Sequence, residues 1–112
     1  MAFKCSIPAV AAVQRDDEDV RITRWDFEPG ATTGWHSHGW PYFVVMLTDA
    51  VMRVDDGANV SELPRKAGEA YGRAAGVEHD VMNASATPMA FIEIEIKRPE
   101  AMRFGPAAAG AY

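Results

Sequence analysis

The chain carries a single cysteine, Cys5, so no intrachain disulfide can staple the fold, and a lone thiol fits a reducing, cytoplasmic setting. Long apolar runs are also missing. The stretch 7–13 near the start contains Pro8 and is far shorter than the roughly 20 residues a membrane span requires. It is short for the apolar region of a signal peptide too, and the acidic run Asp16, Asp17, Glu18 and Asp19 follows at once. Basic residues are the minority, 11 Lys and Arg against 16 Asp and Glu, for a net charge of −5. That balance speaks against nucleic acid or an anionic membrane as a partner, because such binding is carried by excess positive charge. Helical periodicity and internal repeats are absent, and histidine is scarce: His36, His38 and His79 are the whole supply.

What is present belongs to an ordinary globular domain. Hydrophobic residues make up 48% and charged residues 24% of 112 positions, enough to bury a core and suited to one domain. The expected layout is a single domain over 1–112, with its core at about 20–98, an N-terminal arm over 1–19 and a flexible tail over 106–112. Short apolar runs recur between Gly, Pro, Asn and Asp, a rhythm that predicts an all-β sandwich or barrel. Strands are predicted over 20–27, 42–47, 51–55, 60–63, 69–71, 79–83 and 89–97, joined by turn sequences such as Pro29-Gly30, Asp55-Asp56-Gly57 and Ala75-Gly76. Exposed edges and the apolar 7–13 segment predict a homodimer in which the N-terminal arm adds to a neighbouring sheet.

His36 and His38 are two residues apart, and in extended backbone such residues share a face at about 7 Å spacing, within reach of one ion. His79 is the third candidate, in an apolar strand after Gly76. Neutral imidazole is the commonest protein ligand for borderline divalent metals. An His-x-His pair by itself fits a polar strand face equally well.

The segment Gly30-Ala31-Thr32-Thr33-Gly34-Trp35-His36-Ser37-His38-Gly39-Trp40-Pro41-Tyr42 resembles the first motif of the cupin superfamily, and Gly68 to Asn83, with Gly68, Gly76, His79 and Asn83, resembles the second. Ala74 replaces the usual proline of that second motif. The resemblance implies a double-stranded β-helix, or jelly-roll barrel, with one metal held by His36, His38 and His79. Closing the sheet is also how an all-β chain of many short strands protects its edges. Tyr42 stands where the family's glutamate ligand normally sits, so the site resembles the three-histidine cupins. That implies an Fe(II)-dependent dioxygenase acting on a small organic substrate, with Zn, Ni or Mn as alternative ions. The alternatives are a non-redox isomerase, lyase or hydrolase, and a non-catalytic binding module.

Several positions remain open at this level. Tyr42 is either a group that bonds or protonates a metal-bound ligand or a wall of the pocket. Glu93, with Glu95, is either a carboxylate near the ion or part of a polar outer face. Parity over 91–96 favours the second, since Ile92, Ile94 and Ile96 form the more natural inward set. Arg73 is either a partner for a substrate carboxylate or a solvated surface residue, and Trp35 and Trp40 are candidates for the pocket rim.

Overall fold

The computed structural model describes residues 7–101. The lone cysteine and the 106–112 tail lie outside the described residues. Eleven strands run in chain order: β1 (Ile7–Pro8), β2 (Val10–Asp16), β3 (Val20–Phe27), β4 (Ala31–Thr32), β5 (His36–Ser37), β6 (Tyr42–Met46), β7 (Ala50–Asp55), β8 (Val60–Arg65), β9 (Ala70–Arg73), β10 (Glu78–Asn83) and β11 (Met89–Ile96). A 3₁₀ turn, Pro99–Ala101, follows. All seven predicted strands are present, and the Asp55-Asp56-Gly57 turn forms as its chemistry dictates: Asp55 Oδ1 accepts the Gly57 N–H and Asp56 Oδ1 accepts those of Ala58 and Asn59.

The strands form two sheets. One is six-stranded in the order β1-β4-β10-β7-β8, with β5 paired to β10, and the other is five-stranded in the order β2-β3-β11-β6-β9. The chain crosses repeatedly between them, the topology of a double-stranded β-helix, and apolar side chains from both sheets meet in one core. Phe27, Met46, Met52 and Met89 are almost fully buried there, each contributing roughly 1.5–3 kcal/mol by removal from water. The rings of Phe27 and Phe91 lie 5.4 Å apart in this core. Among the described residues no helix is long and apolar enough to cross a membrane.

The predicted arm over 1–19 is, in its described part, regular structure: β1 pairs with β4 and β2 with β3. Every residue of β2 is exposed, and it forms an edge of the five-stranded sheet.

The expected parity of β11 is reversed. Phe91, Glu93 and Glu95 face inward, the two carboxylates only 8% exposed, while Ile92, Ile94 and Ile96 are half-buried on the outer face. The ladder decides this. Phe91, Glu93 and Glu95 stand opposite Trp25, Thr23 and Arg21 on β3, and opposite Met46, Val44 and Tyr42 on β6. Because Phe27, Val44 and Met46 are committed to the core, the β11 residues in phase with them follow. The isoleucines still serve as strand formers outside, beside Ile22, Phe43 and Val45.

Candidate metal centre

The three histidines converge on one point inside the fold. β5 is antiparallel to β10 with His79 directly opposite His36, which sets those two rings side by side, and His38 follows two residues later. Gly34, at φ +83°, makes the turn that admits β5. Gly76, at φ +95°, turns the chain back before β10, where its N–H donates to the His38 carbonyl and the His38 N–H donates to Val77. The backbone on both sides of the site is therefore tied down before any side chain is placed.

Each imidazole presents its Nε2 to the others. His36 Nε2 lies 3.0 Å from His38 Nε2, which lies 3.2 Å from His79 Nε2. A hydrogen bond between imidazoles can satisfy only one of these pairs at a time, because His38 Nε2 is common to both and carries either one proton or one lone pair. Ligand atoms of all three rings lie within 4.8 Å of one another, close enough that one ion could be held by all three. The donor chemistry agrees with the geometry. Burial, followed by the charges of neighbouring His36 and Arg73, holds His38 down to about 4. Burial, with the charges of His36, His38 and Arg73, holds His79 down to about 3. Both rings are neutral at pH 7, with lone pairs free to bind a cation.

His36 has its tautomer set by the backbone. Its Nδ1–H donates to the Gly34 carbonyl at 2.8 Å, leaving Nε2 as a bare lone pair. Thr33 supports the same edge, with its Oγ1 3.2 Å from His36 Nδ1 while it accepts the Val81 N–H. This role for Thr33 was not read from the sequence; its only signal is a hydroxyl residue just before the glycine that leads into the histidine pair.

The two carboxylates of β11 flank His38. Glu93 Oε2 is 4.0 Å from His38 Nε2, and Glu95 Oε2 is 3.8 Å from His38 Nδ1. The clusters His36–His38–His79 and His38–Glu93–Glu95 share only His38. Burial, then the charge of Glu95, pushes the Glu93 carboxyl up to about 7. Burial raises Glu95 as well, opposed by the positive charges of Arg21 and Lys97. Tyr42 lies flat against His38, ring centroids 4.0 Å apart and planes 26° off parallel, and burial pushes its phenol well above the ordinary range.

The remaining candidates separate. Arg73 stands opposite Tyr42 across the β6–β9 ladder, and no ion pair engages it among the described residues. Trp40 is flanked by the cations of Arg21 and Lys97, at 5.4 and 5.3 Å from its ring centre, and Trp35 lies over Gly57 in the β7–β8 turn. Asn83 is fully buried and ties loop backbone, its amide donating to the Phe27 and Thr87 carbonyls. A cavity of about 250 Å³ lined by Pro8, Arg24, Phe27 and Met89 shares no residue with the histidine cluster.

No protein-family model matches the chain. A β-alanine degradation protein, BauB, from Pseudomonas aeruginosa is 49% identical over 89 residues, covering 80% of this chain and 94% of that one. A cupin domain from Bordetella pertussis, solved by crystallography, is 40% identical with a TM-score of 0.80, covering 82% of this chain and 96% of that one. A cupin with a double-stranded β-helix fold from Methanocaldococcus jannaschii superposes with a TM-score of 0.70 over 88% of each chain at 13% identity, a likeness of fold alone.

Proposed function

The chain belongs to the cupin superfamily, and from that premise we propose that it is a mononuclear metal-dependent enzyme acting on a small organic acid, an Fe(II)-dependent dioxygenase being the favoured reading. The observation that carries the proposal is the convergence of three Nε2 atoms, two of them on rings held neutral by burial. His36, His38 and His79 would hold the ion. When bound, such an ion supplies a Lewis acid and, for iron, a site for electron transfer to dioxygen.

The chain's own groups supply the rest. No carboxylate comes from position 42, so the charge of a divalent ion would be balanced from outside its three neutral donors, by Glu93 and Glu95 beside His38 and by an anionic substrate. Arg73, opposite Tyr42 across the β6–β9 ladder and with no ion pair among the described residues, would hold a substrate carboxylate. Glu93, at the cluster-facing edge of His38 and with a pKa of about 7, suits proton transfer at neutral pH. Tyr42, stacked on His38 with a phenol kept neutral, forms a wall beside the reacting centre and is available as a hydrogen-bond donor.

The test is reconstitution of the purified protein with Fe(II), or with Zn(II), Ni(II) or Mn(II), followed by oxygen uptake and product analysis across small carboxylic acids, thiols and diketones. β-Alanine belongs in the panel because the P. aeruginosa relative is a β-alanine degradation protein. Oxygen consumption with Fe(II) alone, and a KM raised at least 10-fold by Arg73→Ala, is the expected result. Turnover with a redox-inert ion and no oxygen uptake would replace the dioxygenase reading by isomerase, lyase or hydrolase chemistry. No turnover with any ion would leave a binding module.

The protein is further proposed to act as a cytoplasmic homodimer. The support is β2, an edge strand with Val10 and Val13 63% and 60% exposed, whose outer backbone groups have no strand partner among the described residues and invite a second copy. Sedimentation at micromolar concentration is expected to give twice the 12.2 kDa chain mass, and a monomer there would remove the dimer.

A further inference from the structure

His38 differs from His36 in what holds its far edge. The Nδ1–H of His36 is fixed by the Gly34 carbonyl, whereas the Nδ1 of His38 faces Glu95 Oε2 at 3.8 Å. Its ring plane is set by Tyr42 at 4.0 Å. Glu95 and Tyr42 are direct partners across the β6–β11 ladder, so a single cross-strand pair meets both the edge and the face of this histidine. Arg21, opposite Glu95 on β3, and Lys97 place positive charge around that carboxylate.

We propose that Glu95 and Tyr42 together are positioning residues for His38: the carboxylate holds the ring proton on Nδ1, and the stacked phenol ring holds the plane that aims Nε2 at the ion. At 3.8 Å, beyond hydrogen-bond distance, the carboxylate acts through its charge. An anion beside Nδ1 favours the tautomer protonated there and so leaves the lone pair on Nε2, where His36 and His79 present theirs. Position 42 would then contribute to the metal site through an aromatic face, with the neighbouring strand contributing the carboxylate. The inference rests on the metal-centre reading above.

Zn(II) alone serves as the probe, with affinity measured by competition against a chromophoric chelator and the imidazoles followed by long-range ¹H–¹⁵N spectra of the Zn-loaded full chain. Glu95→Gln is expected to weaken Zn(II) binding 10–100-fold, the range for loss of an outer partner of a metal-bound histidine. The Nδ1–H signal of His38 should move while those of His36 and His79 stay. Tyr42→Phe keeps the stack and should bind within about twofold of the parent, whereas Tyr42→Leu should lose affinity as Glu95→Gln does. Should Glu95→Gln fail to fold, Glu95→Asp, which keeps the charge at a longer reach, should give an intermediate loss and the same displaced signal. Binding within twofold in Glu95→Gln, or within twofold in Tyr42→Leu, or an unmoved His38 signal, would overturn the assignment while leaving the metal centre intact. Failure of the parent chain to bind Zn(II) would instead overturn the metal-centre reading itself.

Discussion

His79→Ala is expected to abolish specific metal binding, lowering affinity for Zn(II) or Co(II) by well over 100-fold. That threshold is chosen because losing an outer-sphere partner costs 10–100-fold, so only removal of a direct donor exceeds it. The two remaining Nε2 atoms, of His36 and His38, cannot enclose an ion on one face. Chelator competition and the visible spectrum of the Co(II) form measure the effect, and a loss below 100-fold would remove His79 from the ligand set. The same variant carries a stability signature. His38 and His79 titrate at about 4 and about 3 in the fold against 6.5 as free groups, both chiefly through burial. Below pH 6.5 the unfolded chain takes up protons that the fold refuses, so the stability of the metal-free protein falls on acidification from about 6.5 toward 3. Each histidine contributes a slope of about 1.4 kcal/mol per pH unit within its window. His79→Ala should therefore flatten the acid limb of a urea-unfolding series by about one proton's worth, a change that loss of a surface histidine would not produce.

Glu93→Gln is expected to stabilise the metal-free protein at pH 8 by about 3 kcal/mol and to have little effect at pH 4. The sign follows from the direction of the shift. Glu93 rises to about 7 in the fold, through burial first and the Glu95 charge second. Below the free value near 4.5 it is protonated in both states and costs nothing. Between 4.5 and 7 the unfolded chain releases the proton while the fold retains it, so stability is lost as pH rises, and above 7 the fold holds a buried anion. Glutamine keeps the shape and removes the charge. Urea unfolding at both pH values decides it, and an equal difference at pH 4 and pH 8 would show that Glu93 is not strained by ionisation. Such a carboxylate is held beside the histidine cluster against the stability of the fold.

Much of this was legible along the chain. Turn residues at regular intervals mark the strands because Gly, Asn and Asp adopt the backbone conformations that tight turns require, and the seven predicted strands all formed. His36 and His38 could be paired from their spacing alone. The third ligand candidate was identified from its motif, and its meeting with His36 rests on one register, His79 opposite His36.

The face of β11 was another matter. Residues 91–96 alternate with period two whichever way they are turned, and three isoleucines make the more apolar set, so local pattern pointed outward for Glu93 and Glu95. Only the pairing of β11 with β3 and β6, whose own inward residues are fixed by the core, selects the opposite phase. That one choice carries two carboxylates inside and up to His38. Sequence alone determined the all-β fold and the pairing of His36 with His38, because strand alternation and a two-residue spacing are local quantities, while His79 came from the motif. The electrostatic surroundings of those donors, including the raised Glu93, the Glu95 edge and the Tyr42 stack, exist only between strands distant in the chain, and the tertiary structure decided them.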